Sequence, residues 1–294
     1  MNINITVHNS RVFDFVNAKS KLETLSETCT FSEGPVWCGE GYYLFSDIPQ
    51  NVIYKIQPGN RKETYHSPSG CTIDDKQLLS EQIGSNGLAF NSNGQLIICQ
   101  HGNGAVALAT DDVLQPLIKC KDGKRFNSPN DLAIHPDGTI FFSDPPYGLA
   151  EQKLNPEFAQ PSAGIYCYRN NLLKLFCEAY QYPNGVCLSP DGNKLYTCSN
   201  KPFERFVLEY DVKTLGLIRI VAKENGDGIK CDTNGNLYLC AKEGIVIIDN
   251  DGQRLGVLQL PAIAANCCWG GSKGTDLFIT ARQYIFLIKD FLHI

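Results

Sequence analysis

Apolar residues in this chain fall into short runs, VIYKI, VALAT, LLKLF, FVLEY, LIRIV and GVLQL among them, separated by clusters of Gly, Asn, Asp and Pro. The three-to-four-residue spacing of an amphipathic helix is almost absent, so the runs read as strands and the clusters as turns. Several runs are joined in pairs through Asn-Gly or Asp-Gly, as in NSNGQ, HPDGT, SPDGN and TNGNL, which predicts β-hairpins. Layouts of helix on helix, or of strands alternating with helices, fit this pattern poorly.

The hairpins recur. SNGLAFNSNGQLIIC, PNDLAIHPDGTIFFS, PNGVCLSPDGNKLYT and GDGIKCDTNGNLYLC are copies of one unit, bracketed by the weaker SEGPVWCGEGYYLFS and ANCCWGGSKGTDLFI. Aligned, they put a polar residue at one place in each: Glu33, Asn86, Asn130, Asn184, Asp227 and Asn266. Eight positions later comes a glycine every time, at Gly41, Gly94, Gly138, Gly192, Gly235 and Gly274. The spacings of 53, 44, 54, 43 and 39 residues are each about the size of a four-stranded blade. The predicted fold is therefore all-β, a single six-bladed β-propeller over residues 1–294 with inner strands beginning near 33, 86, 130, 184, 227 and 266. The segment Val12 to Val16 is expected to supply a strand that closes the last blade and removes an exposed edge.

In a propeller the first strand of every blade lines the central channel, so the six aligned residues should meet at one mouth. A single Asn or Asp before a strand is ordinarily turn chemistry. Turn chemistry would not place Glu33 in the same register as the others. Two carboxylates with several amide carbonyls suit Ca²⁺, or Mg²⁺ and Mn²⁺ with added water, and the lack of His and Cys in the set makes Zn²⁺ the least suited alternative. A chain returning on the second strand brings Asp47, His101, Asp144, Asn200 and Arg282 towards the same face. Asp47 and Asp144 are candidates to orient the ring residues. His101 is a candidate acid, base, substrate contact or simple loop histidine, and Arg282 a candidate anion contact or partner of a surface carboxylate.

Composition narrows the class further. A net charge of −5 gives no reason to expect nucleic-acid or anionic-membrane binding. The start of the chain has no apolar stretch behind a basic segment, and no run approaches a membrane-spanning length, so a soluble cytoplasmic protein is expected, monomeric or weakly oligomeric. Thirteen cysteines, dispersed among apolar runs such as LIICQ and LYLCA and without a CxxC, read as small buried hydrophobes in a reducing compartment.

The stretches FSEGPVW with Glu33, RFNSPNDLAIHPDGTIFFSDPPYG with Asn130, YPNGVCLSPDGNKLY with Asn184 and GDGIKCDTNGNLYL with Asp227 resemble the senescence marker protein/gluconolactonase family, also called regucalcin-like. Wider kinship is to the six-bladed diisopropyl-fluorophosphatase and paraoxonase propellers. The resemblance runs from about residue 20 to about residue 290, and NSPND with DPPYG is similar to bacterial gluconolactonase-like members. The animal branch carries an Arg where Ser128 stands, with Arg125 out of register. The resemblance implies that Glu33, Asn184 and Asp227 hold one divalent metal ion and that Asn130 binds the metal or the substrate. It implies hydrolysis of a small-molecule lactone, a sugar lactone in the gluconolactonase-like reading; a phosphotriesterase on the same site and a non-catalytic calcium-binding scaffold are the alternatives. Asp227 is the preferred proton acceptor over Asp131, whose place one step along the strand should turn it away from the channel. Asn86, Asn130, His101 and Tyr147 are candidate substrate contacts, with Pro145 to Leu149 either a lid or an ordinary Pro-rich loop.

Overall fold

The computed structural model describes residues 1–110 and 113–293. Six antiparallel sheets follow one another around the ring, the first four built of strands consecutive in the chain and the last two each joined by one amino-terminal strand. Their innermost strands are Ser32–Cys38, Ser85–Phe90, Leu132–Ile134, Pro183–Leu188, Ile229–Cys231 and Asn266–Gly270. The protein is a six-bladed β-propeller.

Each hairpin between a first and second strand turns at the predicted glycine. All six have positive φ, from 72° to 92°, where a Cβ would strain the backbone. Alternate residues of each blade face its two neighbours, and the core divides into six apolar clusters, one between each adjacent pair. Between the sixth and first blades Tyr43 stacks on Phe278 with ring centroids 4.2 Å apart. Each such buried ring contributes roughly 1.5–3 kcal/mol of transfer free energy.

The ring closes differently from the expectation. Val12–Phe15 is one turn of helix, not a strand. Its Val12, together with the following Val16, is buried in the cluster between the fifth and sixth blades, because these two apolar residues four apart fall on one helical face. The closing strand is Leu22–Ser26, paired antiparallel with Tyr284–Ile288 so that the last blade joins both ends of the chain. Asn4–Val7 adds a fifth strand to the outside of the fifth blade, against Arg254–Gln259. Both additions cover edges that would otherwise expose unpaired backbone.

The thirteen cysteines are all free, and most are buried in strands. Among the described residues no helix is long and apolar enough to cross a membrane.

Candidate active site

The inner strands begin irregularly, and that irregularity aims the polar ring. Pairing with the second strand skips residues between Glu33 and Val36, between Ser85 and Leu88, and between Pro183 and Val186. The chain at these skips turns towards the axis and bonds the next blade: Gly87 donates to the Asn130 carbonyl at 2.7 Å and Gly185 to the Asp227 carbonyl at 2.9 Å. Glycine follows four of the six ring residues because the blades approach closely there. A Cβ on Gly228 would lie 2.2 Å from Asn266 Oδ1, and one on Gly34 1.8 Å from the Asn86 carbonyl.

A second set of small polar residues supports this contact from the second strands. Ser46 donates to the Asn86 carbonyl at 2.8 Å, Ser143 to that of Asn184 at 2.6 Å, and the Cys198 thiol lies 3.3 Å from that of Asp227. Sequence reading missed this set, although it lies thirteen or fourteen residues after the first ring in FSD, FSD and TCS.

Glu33, Asn86, Asn130, Asn184 and Asp227 line one polar cavity of about 190 Å³ at the channel mouth. Glu33 is buried and accepts from the Gly34 amide at 2.7 Å. Burial first, and then the nearby Asp227 carboxylate, push its pKa well above the usual carboxylate range. Asp227 is partly open to the cavity, and burial raises its carboxyl to about 6 against hydrogen bonds that favour the ionised form. Those bonds come from Asn184 Nδ2 at 2.5 Å and Asn200 Nδ2 at 3.4 Å, both to Oδ1. Oδ2 is left to the cavity.

His101 lies beneath this layer, fully buried. Its Nδ1 is 3.0 Å from the Gln82 carbonyl, which can only accept, so Nδ1 carries the proton and Nε2 is the acceptor. Asn86 Nδ2 at 3.2 Å and Asn130 Nδ2 at 3.5 Å converge on Nε2. The imidazole thus orients two amides so that their oxygens face away from it. Burial pulls its pKa down to about 4, which keeps it neutral in this role. Asn86 Oδ1 is buried and has no hydrogen-bond partner among the described residues.

Several expectations are corrected. Asp131 does not turn away from the channel: its strand begins only at Leu132, and its carboxylate crosses beneath the cup to Lys230 Nζ at 3.3 Å and Asn266 Nδ2 at 3.5 Å. Asn266 is held below the cavity by this contact and by accepting from the Cys267 amide at 2.9 Å. Asp47 and Asp144 orient backbone and not ring side chains. Asp47 takes the amides of Thr30 and Phe31, and Asp144 those of Asn127 and Ser128, fixing the loops that enter the first and third blades. Arg282 makes no carboxylate pair among the described residues and lines the mouth, its guanidinium 5.8 Å from the Phe31 ring. His101 is shielded from the cavity by the two amides it holds. Tyr147 does line it, donating to Asn200 Oδ1 at 2.8 Å. The Pro145–Leu149 segment is a buried wall, tied through Ser80 to the Tyr147 and Gly148 carbonyls. Lys201, Gln82 and Gln152 also line the cavity and were not foreseen. Their repeats carry no matching residue type.

The donor set fits a hard divalent cation. Among the described residues no three His, Cys, Asp or Glu side chains gather as a ligand cluster; here two carboxylates are joined by amides. Glu33 has no cationic side chain within 4 Å among the described residues, and Asn86 presents an unpartnered oxygen. Both features are costly alone and are relieved by an oxygen-seeking ion.

Fold and site together define a six-bladed propeller with a carboxylate and amide cup at one end of its axis. The SMP-30/gluconolactonase/LRE-like family model matches residues 31–283, and the chain belongs to that family. A gluconolactonase of Zymomonas mobilis is 30% identical over 306 residues, covering 97% of this chain and 85% of the relative. The structure of a Xanthomonas campestris gluconolactonase superposes with a TM-score of 0.81 at 25% identity, covering 98% of this chain and 94% of that one. A calcium-binding regucalcin of Agrobacterium tumefaciens shares the fold at a TM-score of 0.73 and 17% identity, over 92% and 93% of the two chains.

Proposed function

We propose that this protein is a lactonase whose cup holds one divalent cation, Ca²⁺ being best suited, through Glu33, Asn130, Asn184 and Asp227. The observation that carries the reading is the pair of carboxylates, Glu33 and Asp227, converging with amide oxygens on one cavity, with no cationic partner for Glu33 among the described residues. Family membership, and a gluconolactonase relative that matches almost the whole chain, support a sugar lactone as substrate. The thirteen unpaired thiols support a reducing, cytoplasmic setting.

When bound, the cation supplies polarisation of the lactone carbonyl and acidification of the attacking water. The chain's own residues do the rest. Asn184 and Asn200 hold Asp227 through Oδ1, so that the carboxylate stays aimed at the cavity, where it takes a proton from the water as the water oxygen bonds the acyl carbon. The ring carbon–oxygen bond breaks and the ring oxygen leaves as a hydroxyl, receiving that proton. His101 keeps the Asn86 and Asn130 oxygens turned towards cation or substrate. Tyr147, Gln82 and Gln152 offer hydrogen bonds to substrate hydroxyls from the walls.

The test is a panel of lactones and one phosphotriester, assayed after chelation and after adding back Ca²⁺, Mg²⁺, Mn²⁺ or Zn²⁺. Lactone hydrolysis that disappears with chelator and returns with one of these ions is expected. Failure of the purified protein to bind any of them at millimolar concentration would overturn the reading. Hydrolysis of the phosphotriester alone would transfer it to that substrate class.

A further inference from the structure

The cup opens sideways. Past Asn200, Lys201, Asp227 and Arg282 it continues over the fourth to sixth blades into a second cavity of about 390 Å³. This annexe carries three cations, Lys201, Lys242 and Arg282, against one carboxylate, Asp227. In a chain with a net charge of −5, that is a local reversal of sign.

The three charges are placed by the fold, and none is spent on a carboxylate within 4 Å among the described residues. Lys242 and Arg282 are the first loop residues of equivalent two-residue hairpins in neighbouring blades, closed by the pairs Ala241 with Gly244 and Ala281 with Tyr284. Arg282 takes φ 58°, a left-handed conformation that Asn or Gly adopts at lower cost. Its turn is fixed to the first blade by Ser32, whose amide and hydroxyl donate to the Arg282 carbonyl at 2.8 and 2.7 Å. Lys201 follows Asn200, and its ammonium rests over the Tyr182 and Tyr147 rings at 4.3 and 5.3 Å. An arginine kept at a disfavoured turn position and a lysine held over two rings both direct charge at a space shared with Asp227.

Resting on the lactonase reading, we infer that the preferred substrate is an anionic lactone, its ring in the cup and a phosphate or carboxylate on its far end in the annexe among Lys201, Lys242 and Arg282. Hydrolysis then adds water across the acyl–oxygen bond and gives a hydroxy acid that retains the tail. A neutral aldonolactone would leave the three cations solvated and unused.

The experiment compares kcat/KM for glucono-1,5-lactone, its 6-phosphate and a glucaric acid monolactone, with wild type and the exposed-site variants Lys242→Gln and Arg282→Gln. A preference of at least tenfold for an anionic lactone is expected, with the better arm distinguishing phosphate from carboxylate. That preference should shrink about tenfold in either variant, return in Lys242→Arg, and weaken between 50 and 500 mM salt. Equal or faster turnover of the neutral lactone would overturn the inference and leave the lactonase reading standing. If no lactone is hydrolysed, the lactonase reading fails, and the annexe is judged by thermal protection with 6-phosphogluconate and with glucarate, each against gluconate. Selective protection by either anion, lost in Lys242→Gln, would support the annexe, and no difference would overturn it.

Discussion

Replacing Asp227 with Asn should make the cation-free protein more stable while disabling it. In the folded chain Asp227 ionises near 6, against 3.8 for an ordinary aspartate. A folded pKa above the unfolded one means stability is complete below the unfolded value and is lost as pH rises through the folded one. The interval is worth about 3 kcal/mol at 1.4 kcal/mol per pH unit. Because Asp227 is partly open to water, roughly half of that is the reasonable expectation. Asn keeps the Oδ1 that accepts from Asn184 and Asn200, so the hydrogen bonds survive. With chelator at pH 7.5 the variant should therefore melt about 2–4 °C above wild type, at roughly 2 °C per kcal/mol for a chain of this size. The gap should open between pH 4 and 6 and close below. Saturating Ca²⁺ should reverse the order, since a ligand at a hundredfold its Kd adds about 2.7 kcal/mol to the state that binds it. Calorimetric or fluorescence melts of both proteins, with chelator and with Ca²⁺, measure all of this. A wild type that out-melts Asp227→Asn in chelator, or a cation that raises both equally, would falsify the account of the cup. Lactone turnover in the variant should fall by two or more orders of magnitude.

Other perturbations separate the layers beneath the cup. His101→Phe removes the acceptor for two buried amide groups, each costing about 1–3 kcal/mol when unsatisfied; Ca²⁺ affinity by titration calorimetry should drop at least tenfold, and an unchanged Kd would exclude the positioning role. Lys230→Met strips Asp131 of its cation and should cost about 3 kcal/mol in urea unfolding. The change should be smaller in the Asp131→Asn background, and equal losses in both would show that the pair is not coupled. Gly228→Ala must displace Asn266, whose Cα would lie 2.8 Å from the new methyl, and should cost roughly 1–3 kcal/mol; Gly94→Ala, with nothing within 4 Å, should cost only the ~1 kcal/mol of its positive φ.

What the sequence revealed and what it concealed follow from how far apart the causes lie. Hairpins are local: alternation, a turn dipeptide and a glycine needing positive φ occur within fifteen residues, so six repeated copies were enough to predict the propeller. The ring residues inherit that register. Five of them do meet in one cavity, because equivalent positions on equivalent strands must converge on an axis. The errors arise where the repeat is broken. The amino-terminal segment has no counterpart in other blades, so VFDFV was given the role that LETLS takes. Asp131 stands where four copies have glycine, and strand alternation predicted the wrong direction for it because the strand had not yet begun.

The same distinction explains the layer under the cup. His101, and Asp131 with Lys230, are single solutions to the problem of filling an axis that six similar strands surround with unpaired polar groups. Each blade offers a ring residue, but a ring of six identical amides could not satisfy itself: some must face the ion and others need a partner behind them. The chain breaks its own symmetry to do so. An imidazole turns Asn86 and Asn130 upward, and an aspartate and lysine neutralise each other below. Glu33 and Asp227 alone are left facing the cavity as carboxylates. Departures from the repeat are therefore where functional residues should be sought in this fold, and Lys242 and Arg282, basic where other copies have Ile48, His101, Pro145 and Asn200, are departures of that kind.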